Sequence, residues 1–167
     1  MGKNITSNLS QFIKFLKEEI SENQISSANT IDVIDPRDRL ENKSEICVKP
    51  KNTHEISKIL KLANKFIIPI IPIGGSTGLV GGQIALQSNH VTLSLEKLDT
   101  INFFKDSNLL YVQSGAILSN IKKLAFKNGR LFPLSLASEG SCQIGGNLAT
   151  NAGGLNVIKY GNIRDLC

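Results

Sequence analysis

Several features common to binding and catalytic proteins are missing from this sequence, and each absence narrows its chemistry. Cys47, Cys142 and Cys167 lie far apart, so there is no C-x-x-C pair and no spacing that suggests a zinc site. Such cysteine usage fits a reducing cytoplasm, and we expect a cytoplasmic protein that could sit at the edge of a membrane. His54 and His90 are isolated, and with no cluster of ligands we expect no metal. No run such as five consecutive basic residues occurs. The net charge of +5 and pI near 9.2 come from scattered lysines, which favours a general preference for anions over nucleic-acid binding. The longest apolar run, Phe66 to Ile73, spans eight residues and contains Pro69 and Pro72, whereas a membrane helix needs roughly 20. The apolar core and cleavage site of a signal peptide are also missing. The opening Met1-Gly2-Lys3-Asn4-Ile5-Thr6 has the form of a myristoylation signal, a pattern too short to carry weight by itself.

What remains is the composition of a soluble globular domain, with 41% hydrophobic and 20% charged residues over 167 positions. Leu9, Phe12, Ile13, Phe15, Leu16 and Ile20 recur at helical spacing and predict an amphipathic helix over 9–20. Residues 21–44 are polar, carry the turn-forming pair Asp35-Pro36, and read as a connecting segment. Ile46-Cys47-Val48 predicts a strand. Thr53 is placed to cap a helix whose apolar face is Ile56, Ile59, Leu60, Leu62 and Ala63. The β-branched run Ile67 to Ile73 predicts a buried strand that feeds a loop. A strand at 91–95 follows, then a hairpin of 101–104 and 109–112 turning on Lys105-Asp106-Ser107-Asn108. A helical face of Ile117, Ile121, Leu124 and Ala125 stops at Asn128-Gly129, where glycine can take the left-handed capping conformation.

Eleven of the 14 glycines fall in two stretches, Gly74 to Gly82 and Gly140 to Gly161. Glycine tolerates positive φ and lets a ligand approach the main chain, so successive N–H groups can converge on one anion. The first stretch, Pro72-Ile73-Gly74-Gly75-Ser76-Thr77-Gly78-Leu79-Val80-Gly81-Gly82, follows directly from the predicted strand. It is no Walker loop, because no lysine lies between Lys65 and Lys97. Its GGxxGxxGG spacing also departs from the GxGxxG dinucleotide fingerprint. A tight turn with glycines packed for steric reasons is the competing explanation. In the second stretch, Ser141, Asn147, Thr150 and Asn151 add uncharged polar groups. A short helix beginning at Ile144 would present free N–H groups to an anion. Two such loops suit a diphosphate. Glu139 is expected to face solvent, away from that anion. Lys159 and Arg164 could offset part of the charge or serve as solvated surface cations.

The segments PIGGSTGLVGG at 72–82 and FPLSLASEGSCQIGGNLATNAGGLNVIKYGNIRD at 132–165 resemble the FAD-linked oxidase family with a PCMH-type FAD-binding domain. The resemblance lies in its D-2-hydroxyacid dehydrogenase branch, with D-lactate dehydrogenases, D-2-hydroxyglutarate dehydrogenases and the glycolate oxidase FAD subunit. It implies an α+β fold of two small α+β lobes, truncated at the C-terminus. Residues 1–43 would be an N-terminal helix and connecting segment, and 44–167 an incomplete FAD-binding domain without its substrate domain. It also implies FAD contacts from Gly74, Gly75, Ser76, Thr77 and Gly78; from Pro133, Ser138, Gly140, Ser141, Gly145 and Asn147; and from Thr150, Asn151, Gly153, Tyr160 and Gly161. No histidine lies within either loop, and Cys142 fills a position held by cysteine in noncovalent members, so noncovalent FAD is expected.

By this resemblance the chain would be an N-terminal fragment, inactive alone. Its catalytic, substrate-binding and any metal-ligating residues would fall after residue 167. The whole protein would oxidise a D-2-hydroxy acid (D-lactate, D-2-hydroxyglutarate or glycolate type). Hydride would pass to FAD, and electrons onward to a quinone, a cytochrome or an electron-transfer protein. Two alternatives remain: a flavoenzyme like UDP-N-acetylenolpyruvoylglucosamine reductase, which shares the flavin domain, and a noncatalytic module that binds FAD or a nucleotide.

Overall fold

A computed structural model of the protein describes residues 2–28 and 33–167, with side chains from residue 8 onward. The myristoylation-like opening and part of the expected connecting segment, residues 29–32, therefore lie outside the described residues. The chain forms two compact α+β units, Met1–Lys97 and Leu98–Cys167.

The first unit begins with α1 (Gly2–Glu19), a 3-10 turn (Glu22–Gln24) and β1 (Ile25–Ser27), followed by β2 (Ile46–Val48), α2 (Thr53–Phe66), β3 (Ile70–Ile73) and β4 (Val91–Ser94). The stripe predicted on α1 is its buried face: Leu9, Phe12, Leu16 and Ile20 join Ile59, Ala63 and Phe66 of α2 and the strand residues Ile46, Val48, Val91 and Leu93 in one core. Each large apolar side chain buried this way stabilises the fold by about 1.5–3 kcal/mol. The Phe15 and Phe66 rings stack at 5.5 Å across the helix pair. The helix itself begins at Gly2 instead of Leu9. An apolar stripe marks only the turns that meet the core, and a helix can run on beyond its contact.

Two further boundaries differ from expectation. The cap of α2 is Asn52, whose side-chain oxygen accepts the Glu55 N–H at 2.9 Å, so Thr53 is already helical. The run expected to be a buried strand from Ile67 starts as β3 only at Ile70, and as the sheet edge it buries only Ile73. Ile67 sits in the left-handed region at φ 55°, where the Ile68 N–H folds back onto the Ala63 carbonyl at 2.8 Å. The exposed end of α2 has claimed residues whose β-branching favours a strand.

The sheet order is β1-β2-β4-β3. Val91 of β4 faces Ile46 of β2 on one side and Ile70 of β3 on the other, with both pairings parallel. The strand-helix-strand unit read from the sequence is thus present, with a third strand inserted between its two strands. All four residues of β4 are buried, as suits a central parallel strand. The short β1 pairs antiparallel on the edge of β2. It had no sequence expectation, nor had the 3-10 turns.

The second unit contains the hairpin β5 (Ile101–Phe104) and β6 (Leu109–Val112), followed by α3 (Leu118–Lys127), α4 (Ile144–Ala149), α5 (Val157–Tyr160) and a 3-10 turn (Ile163–Leu166). The hairpin has the expected bounds, with Ile101 opposite Val112 and Phe104 opposite Leu109. Beyond α3, Gly129 takes φ 66° as expected of a capping glycine. Leu118, Leu134, Cys142 and Ile163 are the buried centre of the loop-rich remainder.

Candidate cofactor-binding loops

The first glycine-rich loop leaves β3 and stays outside regular structure until β4. Among the described residues, no protein acceptor takes the N–H groups of residues 74–80. Residues 74–77 are half-buried and 78–80 exposed, so these donors are left for solvent or a ligand. Ser76 adopts φ 51°, and its hydroxyl oxygen is buried without a hydrogen-bond partner. A non-glycine residue held in this region costs about 1–2 kcal/mol, and such strain concentrates at ligand clamps. The free N–H run and the orphaned hydroxyl are the donor set that a diphosphate needs. Gly74, Gly75, Ser76, Thr77 and Gly78 therefore lie together as one group.

The second stretch is organised differently. The N–H groups of Ile144 and Gly145, at the start of α4, donate to the Ala116 and Ser114 carbonyls at 2.9 and 2.8 Å. The expected helix N-terminus with free donors is thus largely closed by residues 114–116, and Gly146 is left open. A Cβ on Gly145 would lie 2.6 Å from Ser114 Cβ, one on Gly153 2.6 Å from Asn162 Oδ1, and one on Gly154 2.0 Å from the Ser135 carbonyl oxygen. Gly161, at φ 78°, would meet Asp165. These glycines are required by the chain's own packing. Gly140 and Gly146 border open space instead, with nothing within 4 Å of an added Cβ.

The polar residues of this stretch also divide. Asn147 is buried, and its amide donates to Cys142 Sγ at 3.4 Å. The Thr150 hydroxyl donates to the Gly146 carbonyl at 2.9 Å. Asn151, at φ 51°, accepts the Arg164 N–H at 3.4 Å. The Ser138 carbonyl accepts the N–H groups of Ser141 and Cys142, and Pro133 accepts from the Asn156 amide at 2.9 Å. Among the described residues Ser138 and Gly140 keep N–H groups with no protein acceptor, and the Gln143 side-chain oxygen is buried without a partner. Tyr160 lies beside the Lys159 ammonium, which sits 5.1 Å from its ring centre. Both loops therefore retain unsatisfied donors and open main chain, which fits a diphosphate-bearing cofactor.

The charged neighbours have definite partners. Glu139 is not directed freely into solvent as expected: it forms a hydrogen-bonded ion pair with Lys122, a cation supplied by α3. Arg164 donates to the carbonyls of Leu148 and Ala149 at 3.4 and 3.2 Å, at the C-terminal end of α4, where a cation is favoured. In the first unit the Asp35 carboxylate is buried and accepts the N–H groups of Arg37, Arg39 and Leu40 at 3.0–3.2 Å. Burial works to raise its pKa, but these donors and the Arg39 charge outweigh that and hold it below the ordinary value.

Segment 34–43, read as a mere connection, lies against the first glycine loop, and so does Gln83. The only sequence signal there was the Asp35-Pro36 turn. In the second unit an apolar cleft of about 550 Å³ adjoins α4, lined among others by Phe104, Tyr111, Phe132, Ile144 and Leu148. Among the described residues no group of three or more histidine, cysteine or acidic side chains could hold a metal ion. No helix there is long and apolar enough to cross a membrane.

Residues 44–167, both glycine-rich stretches included, match the family described as FAD binding domain. The chain belongs to this family of PCMH-type domains. A D-2-hydroxyglutarate dehydrogenase of Xanthomonas citri is 40% identical over 117 residues, 70% of this chain and 25% of that protein. The mitochondrial D-2-hydroxyglutarate dehydrogenase of Arabidopsis thaliana is 34% identical over 162 residues, 92% of this chain and 28% of that protein. A mitochondrial protein of Schizosaccharomyces pombe named as a D-lactate dehydrogenase is 38% identical over 131 residues, 78% of this chain and 25% of its own. The chain thus spans about a quarter of the length of the curated relatives it matches. Among solved structures, an alkyldihydroxyacetonephosphate synthase matches 93% of this chain and 34% of its own at TM-score 0.82 and 22% identity. A grass pollen allergen with glucose dehydrogenase activity matches 91% and 34% at TM-score 0.79 and 19% identity. These two share the fold.

Proposed function

We propose that residues 44–167 form the FAD-binding part of a dehydrogenase that oxidises a D-2-hydroxy acid, with residues 1–43 as an N-terminal helix and connecting segment. The free N–H groups of Gly74 to Gly78, joined by the unpartnered Ser76 hydroxyl, carry this reading. They would hold the cofactor diphosphate, aided in the second stretch by Ser138, Gly140 and Ser141. Gly145, Gly153 and Gly161 let the second stretch close tightly on itself, and Pro133, Asn147, Thr150, Asn151 and Tyr160 would add to the cofactor contacts of that stretch. Bound there, FAD supplies the two-electron acceptor for oxidation of a C–H bond next to a hydroxyl. The substrate class comes from the relatives named as D-2-hydroxyglutarate and D-lactate dehydrogenases. Substrate-binding and catalytic groups are assigned to no residue of this chain.

Attachment of FAD is noncovalent in this reading. Cys142 is 1% exposed and accepts the Asn147 amide, and neither histidine lies in a glycine-rich stretch. Acid precipitation of the full-length protein is expected to leave the yellow flavin in the supernatant; flavin in the pellet refutes noncovalent attachment. The activity is tested by anaerobic titration of the full-length flavoprotein. Bleaching of the flavin absorbance is expected with D-2-hydroxyglutarate, D-lactate or glycolate, and none with NADPH. Bleaching by NADPH alone would assign the reductase chemistry instead. Bound FAD that none of these reductants bleaches would leave a binding module.

A further inference from the structure

The carbonyl groups of the first glycine loop are held from outside by two side chains far apart in sequence. The Gln83 amide donates to the Gly78 carbonyl at 2.9 Å and to the Ile34 carbonyl at 3.0 Å. Gln83 is itself buried. The Arg39 guanidinium donates to the Leu79 carbonyl at 2.6 Å. Arg39 is in turn placed by Asp35, whose carboxylate accepts its main-chain N–H at 3.0 Å and lies 3.6 Å from its Nε. Beyond the loop, Asn42 accepts the Ala85 N–H at 3.0 Å and the Lys43 N–H donates to the Ala85 carbonyl at 2.8 Å, so segment 34–43 is stitched alongside residues 78–85.

A trans peptide unit is planar, and its C=O and N–H point in opposite directions. Holding the Gly78 carbonyl therefore turns the Leu79 N–H away from Gln83. Holding the Leu79 carbonyl turns the Val80 N–H away from Arg39. Among the described residues both N–H groups lack a protein acceptor, as do those of residues 74–78. Neither side chain need touch a ligand to have this effect. A flexible glycine loop left to itself would sample many orientations of these peptide units, and an anion would have to order them on binding.

We propose that Gln83 and Arg39 are positioning residues that preset the first glycine loop as an array of N–H donors for the cofactor diphosphate, extending the array to Leu79 and Val80. This rests on the assignment of FAD to the loop. The test is FAD titration of the flavin-free full-length protein, read by flavin fluorescence, alongside thermal unfolding without flavin. Arg39→Met and Gln83→Met are each expected to raise the FAD dissociation constant about tenfold, with Arg39→Lys, which keeps a donor for the Leu79 carbonyl, within about threefold of native. Gln83 is uncharged, so the loss in Gln83→Met cannot come from removing a cation. Arg39 is half exposed, and the flavin-free midpoint of Arg39→Met is expected within about 2 °C of native.

Native FAD affinity in Arg39→Met overturns the proposal, as does an equal loss in Arg39→Lys. A lowered flavin-free midpoint with unchanged affinity overturns it too, since that marks a purely structural role. If Gln83→Met fails to fold, the two Arg39 variants decide. A native protein that takes up no FAD overturns the cofactor assignment itself, which is a different failure from native binding with indifferent variants.

Discussion

The two glycine-rich stretches keep their shapes by different means. In the first, the nearest obstacles to a Cβ on Gly78 and Gly81 are side chains, Gln83 and Leu40, and the main-chain donors remain free. In the second, the chain closes on itself: Gly145 and Gly154 abut main chain at Ser114 and Ser135, and several N–H groups are taken by nearby carbonyls. Side chains thus lie against the glycines of the first stretch at Gly78 and Gly81, whereas main chain closes on Gly145 and Gly154 in the second. Glycine density alone does not mark a ligand surface; the free donors and the open Cβ positions do.

The sharpest way to break this contrast is at the closed glycines. Gly154→Ala would put a Cβ 2.0 Å from the Ser135 carbonyl oxygen, and main chain cannot step aside as a side chain can. A loss of about 3 kcal/mol in unfolding free energy is expected, measured by denaturant titration of the full-length protein. Unchanged stability would mean that the second stretch is not self-packed. Gly145→Val, an obvious probe of the diphosphate space, would meet Ser114 first and so reports packing more than ligand contact.

Gly140 offers the cleaner probe, because its Cβ direction is open. Gly140→Val is expected to weaken FAD binding about tenfold, about 1.4 kcal/mol, and to leave the stability of the flavin-free protein unaltered. Native FAD affinity in that variant would remove Gly140 from the cofactor surface.

A smaller effect is expected from acid. The folded pKa of Asp35 lies below the ordinary value of 3.8. Its ionised form therefore contributes stability that is fully present above that value and is lost as pH falls through the folded pKa. The stability of the native protein should fall below about pH 4 more steeply than that of Asp35→Asn, in which no charge is left to titrate. Parallel pH profiles would show that the carboxylate does not tie the segment beside the first loop. The smallest effect is expected at the partly exposed Lys122–Glu139 pair. There Lys122→Ala should cost about 0.5 kcal/mol, and a larger loss would make Glu139 a structural anchor of the second stretch.

Legibility in the sequence followed the range of the interactions. The hairpin could be bounded to the residue because alternation and a four-residue turn are local, and the capping glycine after α3 for the same reason. The face of α1 could be read, but its start could not, since packing contacts mark only part of a helix. The end of α2 overrode the strand preference of Ile67, a competition between neighbours that composition does not settle. The insertion of β4 between β2 and β3 was hidden, because parallel pairing joins strands separated by a long excursion of chain.

The same division holds for the candidate site. By itself the sequence determined that glycine-rich main chain follows a strand, that neither stretch carries a Walker lysine, and that the pattern is that of an FAD-binding domain. These are properties of adjacent residues. Tertiary structure alone decided which glycines are open and which are closed, because the atoms that close them belong to Ser114, Ser135 and Asn162. It also decided which loop carbonyls are held from a distance, because Arg39 reaches the Leu79 carbonyl only where segment 34–43 lies alongside the loop.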